Sequence, residues 1–248
     1  MAAAPRVIRM VLAYDGSAYA GWQKQENALG IQEVVEKALS KIQKEPVSIV
    51  ASGRTDAGVH ALGQVIHFTG RAGIPLEGYY KALKAMLPPD IRVRSVEEAP
   101  EGFHARFSAR RKVYRYIAST EPDNPFSWRY KAFLYRRPDI AKMKEAAAHL
   151  IGTHDFTSYS NGRIDPRKSR IKTIESIEIE ERGNDIVFTF AGNGFLRYQV
   201  RMMTGTLLEV GAGRLAPEDV RTILEARDKE ACRFNADACG LYLVEVNY

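Results

Sequence analysis

Hydrophobic positions along this chain follow two periods, and the switches between them mark its elements. From Arg6 to Tyr14, RVIRMVLAY alternates and stops at Asp15-Gly16, the pattern of a strand ended by a turn. Ile31, Val34, Val35, Ala38, Leu39 and Ile42 then fall at helical spacing, with Gln32, Glu33, Glu36, Lys37 and Lys41 on the opposite face. VSIVAS from Val47 and QVIHFTG up to Gly70 return to strand character. Tyr79 to Leu87 predicts a helix stopped by Pro88-Pro89, and IRVRSVEE from Ile91 alternates strictly, as a half-buried strand does. The order is β-α-β-β-α-β, the split arrangement of ferredoxin-like domains.

The second half echoes it more loosely. VYRYIAST from Val113 is strand-like, and IAKMKEAAAHLIG from Ile140 is an amphipathic helix opened by Pro138-Asp139. IESIEIEERGNDIVFTFAG is a hairpin turned at Gly183-Asn184. GFLRYQVRMMTGTLLEVGAG predicts a helix from about Phe195, capped by Gly211 or Gly213; PEDVRTILEAR follows with Pro217 at its start, and GLYLVEVNY closes as a strand. The expected fold class is therefore α+β, with two α+β subdomains divided near residue 104 whose antiparallel sheets join edge to edge. Ser158 to Lys172 is the candidate basic loop.

Composition narrows the class. Of 248 residues, 45% are hydrophobic and 27% charged, which excludes a fibre or a disordered tail. No apolar run reaches the roughly 18 residues a membrane span needs, and MAAAPRVIRM breaks at Pro5 and Arg6 before a signal-like core forms, so a cytoplasmic protein with no membrane partner is expected. The two cysteines, Cys232 and Cys239, make neither a disulfide framework nor a CxxC clip.

Charge points to a polyanion. Lys and Arg exceed Asp and Glu by 36 to 30, and Arg106, Arg110, Arg111, Lys112 and Arg115 interleave with Phe103, Phe107, Tyr114 and Tyr116. Cations meet phosphates while aromatic faces stack on unpaired bases. A packed strand with one solvated face has the same pattern.

Candidate chemistry centres on Gly53-Arg54-Thr55-Asp56-Ala57-Gly58-Val59-His60, a glycine-flanked turn fed by a strand. Asp56 there can be the acceptor of an Asx-turn or a dry, ionised carboxylate acting as nucleophile or base. Arg201, set among Val200, Met202 and Met203, either asks for a buried acid, whose pKa it would lower, or extends its head to solvent. Five histidines show no HExxH or Cys/His spacing, so no metal is expected, and Ser52 near His60 lacks a GxSxG elbow.

YDGSAYAGWQKQ at 14–25, GRTDAGVHALGQVIHF at 53–68, FHARFSARRKVYRYI at 103–117, DFTSY at 155–159, NGFLRYQVR at 193–201 and the terminal GLYLVEVNY together resemble the tRNA pseudouridine synthase A (TruA) family, in the same order over nearly the whole chain. Tyr198-Gln199 and Met202-Met203-Thr204 depart from the family pattern around the helix arginine. The resemblance implies an isomerase that converts uridine to pseudouridine at positions 38, 39 and 40 of the tRNA anticodon stem-loop. It further implies a homodimer with no metal, organic cofactor or small-molecule cosubstrate. Its fold would be two ferredoxin-like, RRM-like subdomains with helices on one side and a catalytic cleft between them, residues 1–104 carrying the aspartate loop and 105–248 the base-stacking tyrosine and the pairing arginine. By the same resemblance Asp56 is the catalytic aspartate, Tyr114 stacks on the target base and Arg54 fills the space of the extruded nucleotide. Arg201 pairs with the aspartate, and Leu243 lines the pocket. The competing expectations are a noncatalytic RNA-binding module or RNA chaperone, and a metal-dependent nuclease, for which no second carboxylate lies near Asp56 in the sequence.

Overall fold

The structure, a computed structural model, describes residues 6–121, 124–160 and 169–248. The chain forms two compact units, residues 1–110 with 243–248, and residues 111–242.

The first unit runs β1 (Arg6–Tyr14), α1 (Ile31–Gln43), β2 (Val50–Ala51), β3 (His60–Gly70), α2 (Leu76–Met86) and β4 (Ile91–Glu98). β1 is central, antiparallel to β3 on one side and β4 on the other, and β2 pairs with β3, which gives the ferredoxin-like order 4-1-3-2. The alternation in β1 sends Ile8, Met10 and Leu12 into a core completed by Ile66 and Phe68 of β3, Ile31, Val35 and Leu39 of α1, and Tyr79 and Leu83 of α2. Each such side chain contributes roughly 1.5–3 kcal/mol when fully buried.

β1, α1 and β4 occupy the residues their patterns predict. β2 is shorter than expected because α1 captures the amides ahead of it: Val47 N donates to Ser40 Oγ (2.9 Å) and Ile49 N to Glu36 Oε1 (3.1 Å), so the ladder begins only at Val50. β3 is longer, starting at His60 directly out of the Asp56 turn.

The second unit contains β5 (Arg111–Ser119), β6 (Ala132–Phe133), α3 (Ile140–Ala148), β7 (Gly152–Asp155), β8 (Ile171–Arg182), β9 (Asp185–Gly192), α4 (Gln199–Gly211) and α5 (Pro217–Ala226). Its sheet runs β5-β9-β8-β7, the first three in the 1-3-2 part of the same order, and β6 lies parallel to the end of β5. Tyr116 and Ala118 of β5, Phe188 and Phe190 of β9, Met143 and Ala146 of α3, and Met203, Leu207 and Val210 of α4 form its core. The hairpin turns at 183–184 as the sequence predicts. Residues 161–168 of the expected basic loop lie outside the described residues.

α4 begins later than the expected Phe195. Tyr198, at its N-cap, is left-handed (φ 66°), and a helix cannot propagate through that conformation. The last strand, β10 (Leu241–Asn247), starts in the second unit and from Leu243 belongs to the first, where Gly63 of β3 faces Val244.

Candidate active site

The Asp56 turn is held by side chains of β1 and β3. Val59 N donates to Asp56 O (3.1 Å), closing a turn whose third residue, Gly58, has φ 77°, the conformation of a type II turn. Thr55, immediately before the aspartate, is buried, and its Oγ1 is hydrogen-bonded to the Tyr14 hydroxyl at 2.8 Å. Gln64, fully buried on β3, donates to Gly53 O (2.9 Å) and Tyr14 Oη (3.4 Å) and accepts from Ser52 Oγ (2.7 Å). Burial pushes the Tyr14 phenol up to about 12 against smaller opposing effects of Thr55 and Gln64. Its hydroxyl therefore stays protonated and can donate to Thr55 while accepting from Gln64. Ser52 is thus a member of a structural network, which accounts for its place near His60 without nucleophile chemistry.

A second layer braces the turn from behind. Trp22 N donates to Thr55 O (3.0 Å), and Gly16 N donates to Nδ1 of buried His60 (3.1 Å), a nitrogen that also lies 3.1 Å from Asp15 Oδ1. Gly21 (φ 91°) sits so close that a Cβ there would lie 2.8 Å from Thr55 O and 3.1 Å from Asp56 C. These contacts explain the YDGSAYAGWQKQ block, to which the sequence assigns no role. The segment is a backbone cradle that fixes the aspartate turn, and Asp56 stands half-buried at its head. Arg54, two residues earlier on the same loop, is exposed, and Leu243 is fully buried on β10.

In the second unit Tyr114 lies on β5 opposite Phe190, 8% exposed, with its ring centroid 5.1 Å from that of Phe195 in an edge-to-face arrangement. Tyr116, two residues on and so on the same face of the strand, is fully buried. Its phenol is pushed well above its ordinary range by burial, then by Cys239 and Asp237, with Arg201 and a backbone contact to Asp237 acting in the opposite direction. Arg201 therefore lies within electrostatic reach of the face that carries Tyr114. The guanidinium is half-buried, its Nε donates to Ala236 O (2.7 Å), and its carbon sits 5.3 Å from the Tyr198 ring centroid. The left-handed Tyr198 places that ring over both Arg201 and Arg197 (5.0 Å).

The basic and aromatic stretch from Phe103 to Tyr116 divides by role. Tyr116 is core, and Phe103 packs on Tyr248 (4.8 Å) under the Arg9 guanidinium. Phe107 stays 77% exposed, stacked on His104 at 4.3 Å, with Arg106 5.6 Å from its centroid. Among the described residues, no group of three or more His, Cys, Asp or Glu could hold a metal ion.

Comparison with known proteins agrees with these motifs. The tRNA pseudouridine synthase family model matches residues 10–108 and 146–248, stretches that include Arg54, Asp56, Arg201 and Leu243, with Tyr114 between them. A tRNA pseudouridine synthase A from an Exiguobacterium species is 48% identical over 244 residues, covering 98% of this chain and 98% of its own. Those of Listeria innocua and Bacillus subtilis are 46% and 42% identical over 244 residues, each covering 97% of this chain and 98% of their own. The chain belongs to the tRNA pseudouridine synthase family.

Proposed function

We propose that the protein isomerises uridine to pseudouridine in the anticodon stem-loop of tRNA, at positions 38, 39 and 40, with Asp56 as its catalytic carboxylate. The observation that carries this reading is the braced turn at Asp56: a half-buried carboxylate on a loop fixed by Tyr14, Gln64 and the Gly16–Trp22 cradle, within a chain matching family members over nearly its full length. A binding module gains nothing from an aspartate held so rigidly, whereas catalysis depends on it.

The reaction breaks the N1–C1′ glycosidic bond, turns the uracil and forms C5–C1′, after which the C5 proton leaves and N1 gains one. Atoms balance without a cosubstrate. The target must first leave its stack at a cost of a few kcal/mol, which phosphate contacts offset. Asp56 then adds to C1′, adds to C6 or removes the C2′ proton, and each route needs it ionised. Pairing with Arg201 would supply that condition. Tyr114 stacks on the extruded uracil and its hydroxyl assists loss of the C5 proton, Arg54 occupies the vacated space in the RNA, and Leu243 belongs to the apolar wall of the pocket. The enzyme works as a homodimer in the cytoplasm, where its substrate is. No helix among the described residues is long and apolar enough to cross a membrane.

Tritium release from transcribed tRNA carrying [5-³H]uridine, in the presence of chelator, tests the proposal. Wild type should release tritium and Asp56→Ala should not, while tRNA affinity changes no more than a few-fold. Full release by Asp56→Ala would overturn it.

A further inference from the structure

Residues 124–137, NPFSWRYKAFLYRR, hold Arg129, Lys131, Arg136 and Arg137 and no acidic residue. They also present the densest exposed aromatic surface of the second unit: Phe126 is 89% exposed, Trp128 62%, Tyr130 39%, Phe133 43% and Tyr135 92%. Large rings left in water at this density mark an interaction surface, since each would gain from being covered.

The segment is ordered by its own hydrogen bonds. Phe126 N donates to Asn124 Oδ1 (3.0 Å), Tyr130 N to Ser127 O (2.8 Å) and Leu134 N to Ser119 O (2.8 Å). The Tyr242 hydroxyl holds the Tyr130 carbonyl (2.7 Å), and Lys131 Nζ meets Asp185 (2.6 Å). A cavity of about 400 Å³ opens on this face, with Trp128 and Phe133 in its wall and Glu121, Asn124 and Ser127 supplying polar groups. It is large enough for a nucleobase, and those groups can meet the base's edge.

We propose that this face is an RNA contact in its own right, which stacks unpaired nucleotides of the substrate on Trp128, Phe126 and Tyr135, with Arg129 and Arg136 directed to phosphates. The inference rests on the reading of the substrate as RNA. Charge decides between RNA and a second copy of the chain. Lys131 and Arg137 already pair with Asp185 and Glu181 (2.9 Å), and a twofold interface through this segment would bring no further acid from it to Arg129 and Arg136, whereas a nucleic-acid strand supplies both the phosphates and the flat partners the rings need. The Arg129 guanidinium 5.1 Å from the Trp128 centroid makes one such combined site, a ring to stack on with a cation at its face. The segment falls between the two stretches matched by the family model.

Trp128 carries its own reporter, because the other tryptophan, Trp22, is 3% exposed. Tryptophan fluorescence should be quenched by oligouridylate and by tRNA, much less by a fully paired duplex, and not at all by oligouridylate in Trp128→Phe. Trp128→Ala and the Phe126→Ala/Tyr135→Ala pair should weaken oligouridylate and tRNA binding roughly tenfold per base stack removed. They should raise KM for tRNA with kcat at saturation within about twofold of wild type. Unquenched fluorescence, or variants that bind both RNAs as wild type does, would overturn the proposal. A change of sedimentation coefficient with RNA affinity unaltered would also overturn it and assign the face to contact between copies. Failure of this inference alone leaves tritium release by wild type intact. Absence of release with Trp128 still quenched by oligouridylate would instead sink the isomerase reading and keep the RNA contact.

Discussion

The Tyr14 hydroxyl and Thr55 Oγ1 are hydrogen-bonded at 2.8 Å, across 41 positions of sequence and one residue short of the proposed catalytic aspartate. Gln64 completes the arrangement by meeting Tyr14, Ser52 and the Gly53 carbonyl with a single side chain. Replacing it with leucine leaves buried polar groups unmet, at about 1–3 kcal/mol for each group left without a partner. Gln64→Leu should therefore lower thermal stability and reduce kcat at least tenfold, with KM for tRNA within about twofold. Gln64→Glu, which keeps an acceptor for Ser52, should recover part of the stability. Unchanged kcat in Gln64→Leu would mean the network does not position Asp56.

Gly21 offers a test of the cradle by steric means. Alanine there adopts a left-handed backbone, costing about 1–2 kcal/mol, and also drives its Cβ to 2.8 Å from Thr55 O. Gly73 has nearly the same torsion (φ 85°) but open space around it, so Gly73→Ala measures the backbone cost alone. Both variants should melt at lower temperature, while only Gly21→Ala loses tritium release. Equal activity in the two would separate the cradle from catalysis.

Much of the fold was legible because burial imposes periodicity. β1, β4 and the 182–185 hairpin lie where alternation and turn residues put them, and α1 begins where its apolar stripe does. The misses have local causes that a pattern does not carry. β2 loses its first residues to side-chain acceptors on α1, and α4 starts late because Tyr198 adopts φ 66°, a conformation unusual for a residue with a Cβ. Within the site, the turn at Asp56 was visible as a glycine-flanked motif, whereas Tyr14, Ser52, Thr55 and Gln64 meet only through the sheet. Their presence in the motif blocks was a signal, but their role required register: β1 opposite β3 brings Tyr14 beside the start of β3, where Ala61 is its partner.

The proposed pairing of Asp56 with Arg201 can be measured apart from catalysis. Arg201 already fastens α4 to residue 236 twice, through Nε to the Ala236 carbonyl (2.7 Å) and through its own carbonyl to the Ala236 amide (3.0 Å). Arg201→Ala should thus cost about 1–3 kcal/mol of stability whether or not an acid is nearby. A double-mutant cycle isolates the remainder. If the two side chains pair, Arg201→Ala and Asp56→Ala should couple by about 1 kcal/mol or more in denaturant unfolding, and additive effects would show that they act separately.

His67 gives the first unit an acid-sensitive point away from Asp56. Burial lowers its pKa below the ordinary 6.5, and the nearby His104 lowers it further. In keeping with a neutral ring, Nδ1 accepts the Ala105 amide at 3.0 Å. For a histidine whose folded pKa is depressed, both states are neutral above about 6.5 and the group imposes no penalty. As pH falls below that value the unfolded chain takes up the proton first, so stability declines until the folded pKa is passed and then levels off. Melting temperatures recorded from pH 7.5 to pH 5 should show this decline in wild type. His67→Gln, whose side-chain oxygen can still accept the Ala105 amide, should flatten it, and a slope identical in both proteins would assign the acid sensitivity to other groups.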